Sequence, residues 1–286
     1  MNIPVNIKEI IGGISPADAV IYTAGLSLFT YWIYKTWFGR KALEDSAFRR
    51  NNMPLLLPLV LIFGIFLAIG LLNSLALFLS RNLENWQQVF LSQITTAIVG
   101  IVAIVVILRI VKIYFVRGVR GFGLNVRTIP KDLVAAFLYL LAILPVMDIA
   151  LYVIQTVNKL IYGPEYIIPT HVELQSIMEN PNLAVRIAIA ISVVAVTPVL
   201  EEMLFRGLFQ TAIRSALNIR HSAWIAIFVT SVFFAINHAN ASHWPVLFIL
   251  SACLGYAYEK SGSLFRSIFI HALFNAFAVI LTWGNT

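Results

Sequence analysis

Eight apolar runs, each long enough or nearly long enough to cross a bilayer, constrain this 286-residue chain more than any other feature. A helix needs about 20 mostly apolar residues to span the hydrocarbon. Lipid offers no partner to an unpaired backbone group, so runs of this kind must be helical. They lie at about residues 17–38, 54–80, 89–110, 133–154, 183–204, 223–239, 244–258 and 264–283. The sixth and seventh are short and nearly continuous, which also suits a hairpin of shallow helices. The expected fold is therefore all-α, a polytopic membrane bundle of about eight helices.

Composition closes the other routes. The chain is 60% hydrophobic and 12% charged, where a soluble domain is about half apolar and about a quarter charged. That excludes an ordinary soluble enzyme and a disordered regulator. A single cysteine, Cys253, permits no internal disulfide and no cysteine-based zinc site. The net charge of +7 does not point to nucleic acid, because the basic residues sit between the apolar runs, as loop charges of a membrane protein do.

Lysine and arginine also orient the bundle. Lys8, Arg81, Lys159 and Arg186 fall on one side, leaving 16 of the 20 basic residues on the other. Positive residues stay in the cytoplasm, so both termini are expected on the non-cytoplasmic side. The basic loop of Arg117, Arg120, Arg127 and Lys131 reads as a headgroup-facing collar that serves orientation. The first fourteen residues make a poor signal peptide, and the first span is expected to be retained. No internal repeat is visible.

Ionisable side chains at membrane depth are costly and face a cavity or a partner. Those expected there are Asp148, Glu201, Glu202, Arg206, His238 and His271, with Asn237 and Asn275 as uncharged companions. All but Asp148 lie in the last third, which suggests a scaffold over residues 1–182 and a site-bearing core over 183–286 in one integrated membrane domain. Asp148 reads as structural. His243 and Trp244 read as interfacial anchors, and His171 and His221, in loops, receive no role.

Three constellations carry the chemistry. In Glu201-Glu202-Met203-Leu204-Phe205-Arg206, adjacent carboxylates on a helix point about 100° apart. Glu202 and Arg206 are four apart with the acid first, the better orientation for a helical ion pair. Glu201 is then left for general-base work, and Pro198 one turn earlier removes an amide from the ladder. A buried ion-pair network that only locks helices explains the same residues. Phe234 and His238 share a helix face, as do His271 and Asn275. A lone intramembrane histidine is more often a packing element, but two on separate helices with a spare carboxylate resemble sets used for metal or water activation. The absence of His-Glu-x-x-His and of Gly-x-Ser-x-Gly removes the zincin and serine-hydrolase routes. Cys253 has no basic partner nearby in sequence.

Glu201-Glu202-x-x-x-Arg206, Phe234-x-x-x-His238 and His271-x-x-x-Asn275, in that order, resemble the three-motif signature of the CAAX-protease and bacteriocin-processing family of intramembrane endopeptidases. The stretch from Gly255 to Ser263 resembles that family's linking segment. The resemblance covers about residues 183–277; the first four spans show no such match. It implies an endopeptidase whose catalytic set is Glu201, Glu202, His238, His271 and Asn275, acting on a peptide or protein substrate at or near its C-terminal tail within the lipid bilayer. Glu201 would activate water, while His271 and Asn275 would steady that water or the oxyanion. One divalent metal, zinc by donor chemistry, is the expected cofactor, with Glu201, His238 and His271 as its ligands. The site is expected in the inner half of the membrane. Two other readings remain open at this point: an ion-coupled transporter, and a catalytically silent scaffold of the same fold.

Overall fold

The computed structural model describes residues 15–46, 48–217 and 219–284, and each of the eight apolar runs within them is helical. Helix α1 spans Pro16–Lys35, opened by Ser15 and Asp18, whose side chains each accept from the other's backbone N–H in a capping box. It is followed by α2 (Leu57–Leu79), α3 (Asn85–Tyr114) and α4 (Ile129–Tyr162). A short amphipathic helix, α5 (Val172–Glu179), precedes the long α6 (Leu183–Ala216). Then come α7 (Ser222–Ile236), α8 (Trp244–Ser261) and α9 (Leu264–Trp283).

Among the described residues, five helices are long and apolar enough to cross a membrane: α2, α3, α4 with its leading turn, α6 and α9. The chain is a helical membrane bundle, as the apolar runs imply. Several helices outrun those runs, because a helix leaving hydrocarbon keeps its internal hydrogen bonds when its side chains turn polar. Helix α5 was not anticipated; Ile177, fully buried, pins it to Val185, Ile189 and Val279. The fourteen N-terminal residues, expected to form no signal peptide, lie outside the described residues.

Helix α4 packs against α1, α8 and α9, so the two halves of the chain interlock. Between membrane helices there is little hydrophobic driving force, and close backbone approach through small residues takes its place. Pro145, lacking an N–H, leaves the Leu141 carbonyl without its usual helical donor. Gly25 of α1 packs there so closely that an added Cβ would lie 2.4 Å from the Leu141 oxygen. Nearby, the Tyr22 hydroxyl donates to Asp148 Oδ2 at 2.7 Å, the neighbour that explains a carboxylate in α4. On α6, Gly207 seats the ring of the fully buried Phe122, with an added Cβ meeting Cζ at 2.1 Å.

The end of the bundle that carries the basic loops is closed by two buried carboxylates. Asp132 accepts from Ser263 Oγ at 2.5 Å and Arg266 Nε at 3.0 Å. Glu259 is paired with Arg214 and with Arg49, and accepts from Gln210 Nε2 at 2.9 Å. The Arg49 guanidinium lies 3.4 Å from the centre of the Tyr258 ring.

Helix α6 is irregular on both sides of its acidic pair. Ser192–Val196 and Met203–Gln210 are wound as π-helix around a regular turn at Thr197–Glu202. Insertions of this kind recur at functional sites because they re-aim side chains within an otherwise straight helix. Their local cause is legible: in the widened register the Val193 carbonyl would take the amide of residue 198, which is proline. In the second segment the Thr211 hydroxyl donates to the Arg206 carbonyl, five residues back, at 3.2 Å.

Candidate active site

The regular turn between the two π segments places Glu201 and Glu202 beside α9. Glu202 is fully buried, and its Oε1 accepts from two donors: Arg206 Nη1 at 2.7 Å and His271 Nδ1 at 2.9 Å. Arg206, also fully buried, donates from Nη2 to Ser251 Oγ at 2.7 Å and lies 4.6 Å from the centre of the Phe234 ring. One ion pair thereby touches α6, α7, α8 and α9. A buried pair needs such extra partners, because leaving water costs each charge several kcal/mol, and a guanidinium over an aromatic face recovers some of that.

His271 stands between the two glutamates. Its Nδ1 is held by Glu202, and its Nε2 lies 3.8 Å from Glu201 Oε2. The adjacent acids, for which the sequence suggests separate tasks, both contact this one imidazole. Glu201 keeps 17% of its side-chain surface exposed, against 6% for His271 and none for Glu202. Of the two acids, Glu201 is the more accessible.

His238 follows the end of α7. Its Nδ1 makes a 2.9 Å hydrogen bond with the Phe234 carbonyl; a carbonyl only accepts, so Nδ1 carries the proton and Nε2 is left as an acceptor. The Phe234 ring lies 5.0 Å from the His238 ring and 5.9 Å from that of His271, centre to centre, and so contacts both imidazoles. Asn275 Nδ2 donates to the Val193 carbonyl at 2.8 Å. That is the oxygen Pro198 leaves unpaired, so the amide repairs the π turn, and its second N–H remains for other work. Asn237 is exposed and bonds back to the Phe233 carbonyl at 2.6 Å, away from this set.

The start of α5 adds a group with no role expected from the sequence. His171 meets His238 edge-on, with ring centres 6.0 Å apart, and stacks on His243 at 5.9 Å. Its Nδ1 lies 2.6 Å from Glu173 Oε2. The Glu173 carboxylate holds the His171 imidazole above its ordinary value, with the charge of Glu201 adding to that and burial opposing it. In return His171 draws Glu173 below the usual carboxylate range. His243, expected as an interfacial anchor, is part of this stack, and burial and then His171 push it down. Trp244 donates from Nε1 to the His238 carbonyl at 2.8 Å and so fixes the turn. The only signal for His171 and Glu173 in sequence is their place at the start of the short amphipathic α5.

These three histidines gather at the end of the bundle opposite the basic loops. His221 lies at the other end, ahead of α7. Cys253 is buried. Among the described residues no three His, Cys, Asp or Glu side chains converge closely enough to hold a metal ion. Glu201 and His271 face each other, but the expected zinc ligands do not form a three-donor set as placed.

Residues 183–277 match the family model described as type II CAAX prenyl endopeptidase Rce1-like. That is the segment carrying the three motifs, a third of the chain, so the recognition of the CAAX-protease type stands on the part that builds the site. No curated protein and no solved structure matches the chain.

Proposed function

We propose that this membrane protein is an endopeptidase in which Glu201 and His271 activate a water molecule. The family match supports an endopeptidase of CAAX type at a coarse level; the chemical assignment rests on one observation. His271 Nδ1 donates to Glu202, so in the neutral imidazole Nε2 is an acceptor, and it faces the acceptor Glu201 Oε2 across 3.8 Å. Two facing acceptors need a donor between them. One water giving a hydrogen bond of about 2.8 Å to each spans that gap.

In this reading Glu201 takes a proton from the water as the oxygen bonds to the scissile carbonyl carbon. The carbonyl electrons move to oxygen, where the free N–H of Asn275 stabilises the developing charge. The C–N bond then breaks and the proton held by Glu201 passes to the leaving nitrogen, giving a carboxyl group and an amine. Glu202, already shared by Arg206 and His271, fixes the imidazole and takes no proton. The substrate is a peptide or protein segment cut near its C-terminal tail.

The test is cleavage of a membrane-peptide library by the full chain in proteoliposomes. Glu201→Gln should abolish cleavage while leaving the helical content and melting of the protein unchanged. A zinc chelator should leave the wild-type rate intact. Cation or proton flux without cleavage of any peptide would overturn the assignment in favour of transport.

A further inference from the structure

A cavity of about 690 Å³ opens at the basic-loop end, far from the residues of the candidate active site. Its walls come from two segments distant in sequence: the turn after α1, with Trp37, Arg40 and Lys41, and the start of α7, with Arg220 and Trp224. Behind them Trp224 stacks on Tyr256 with ring centres 6.0 Å apart, and Trp32 donates from Nε1 to the Tyr256 hydroxyl at 2.9 Å. The aromatic back wall is thus rigid, while the three cations at the rim are exposed.

The turn is built in an unusual way. Trp37, Phe38 and Gly39 have φ of 52°, 54° and 81°, so two bulky aromatics occupy the left-handed region that normally favours glycine. Backbone bonds hold them there: Phe38 N–H to the Ile33 carbonyl at 2.9 Å and Lys41 N–H to the Thr36 carbonyl at 2.9 Å. The result displays Trp37 and Phe38, 64% and 84% exposed, beside the basic rim. Lys41 Nζ sits 4.9 Å from the Trp37 ring centre. Exposed aromatics at a helix end are suited to the headgroup layer, and basic pockets between helices are suited to phosphate headgroups. Three cations against one lining carboxylate, Glu44, leave the cavity net positive.

We propose that this cavity binds the phosphate-bearing headgroup of an anionic phospholipid, with Trp37 and Phe38 beside its glycerol and upper acyl carbons. Arg40, Lys41 and Arg220 supply the donors to phosphate. The site is independent of the peptidase reading and stands or falls apart from it.

The experiment is native mass spectrometry of the full chain released from nanodiscs of equal phosphatidylglycerol and phosphatidylcholine. The wild type should retain phosphatidylglycerol in preference. The variant R40Q/K41Q/R220Q should lower that retention by at least about tenfold, since each cation near an anionic headgroup is worth about fivefold. All three side chains are exposed, and R40Q/K41Q alone, with a smaller loss, serves if the triple variant is poorly produced. The control R117Q/R120Q/R127Q removes the same charge from a neighbouring basic loop and should retain the lipid. Equal loss in the control, or undiminished retention in the cavity variants, would overturn the proposal. Displacement of the lipid by inorganic phosphate at millimolar concentration would assign the cavity to free phosphate and overturn the lipid source.

Discussion

His271 and Glu201 face one another across 3.8 Å, with the far side of the imidazole already bound to Glu202 at 2.9 Å. A ring anchored at Nδ1 cannot turn its Nε2 away from Glu201 without giving up a buried hydrogen bond. The geometry therefore holds both side chains in place, which in the proposed reaction would preorganise the base and its partner before substrate arrives.

The same anchoring gives His271 a structural role beside the proposed chemical one. Glu202→Gln and Arg206→Gln should each cost about 3–5 kcal/mol, because either leaves its partner charged and unpaired in the interior. His271→Ala should cost about 1–3 kcal/mol through the lost bond to Glu202. Glu201→Gln should melt like the wild type. Thermal or denaturant unfolding in detergent checks the order, and equal melting of all four variants would remove the division of labour between the acids.

Asn275→Ala should slow cleavage roughly 10²–10³-fold, as expected for a lost oxyanion donor. It should also speed amide exchange in the 192–197 turn, whose Val193 carbonyl loses its partner. A slower rate with unchanged exchange would separate Asn275 from the turn.

The docking of α5 should depend on pH. Glu173 raises the His171 value, so this contribution is full below the ordinary histidine value of 6.5 and is lost as pH rises through the higher folded value. His171 lowers the Glu173 value, so that contribution is present above 4.5 and is lost as pH falls through the lower folded value. Hydrogen exchange across residues 172–179 should be slowest between these limits. In His171→Gln the dependence should flatten, and an unaltered profile would contradict the pairing.

Gly207→Ala should destabilise by about 1–3 kcal/mol, since the new methyl would drive into the Phe122 ring in a packed core. Gly64→Ala, in α2, meets nothing within 4 Å and should be neutral or slightly stabilising. Comparing the two melts isolates the steric effect from helix propensity.

Much of this was legible in the chain because membrane helices obey one-dimensional rules. Apolar length located the helices, and the four-residue spacing placed Arg206 under Glu202. What could not be read was contact between distant segments. His171 seemed a loop residue because nothing local shows that α5 docks beside His238. Arg266 and Arg214 counted only as orienting charges, although they neutralise Asp132 and Glu259 across 134 and 45 residues. Pro198 announced an unpaired carbonyl, but not that a side chain on another helix would reach it.

That last contact bears on how the protein is made. Synthesis delivers α6 to the membrane well before α9, so the Val193 carbonyl and Glu202 must wait for Asn275 and His271, and Arg206 must wait for Ser251 of α8. In lipid each waiting group is expensive, and α6 is therefore an unfinished helix while the chain is still being made. Nascent chains halted before residue 264 should keep α6 crosslinkable to the insertion machinery, whereas chains carrying α9 should release it. The polar groups of α6 that are satisfied only by α8 and α9 would thus tie its release into the bilayer to the arrival of the last helix.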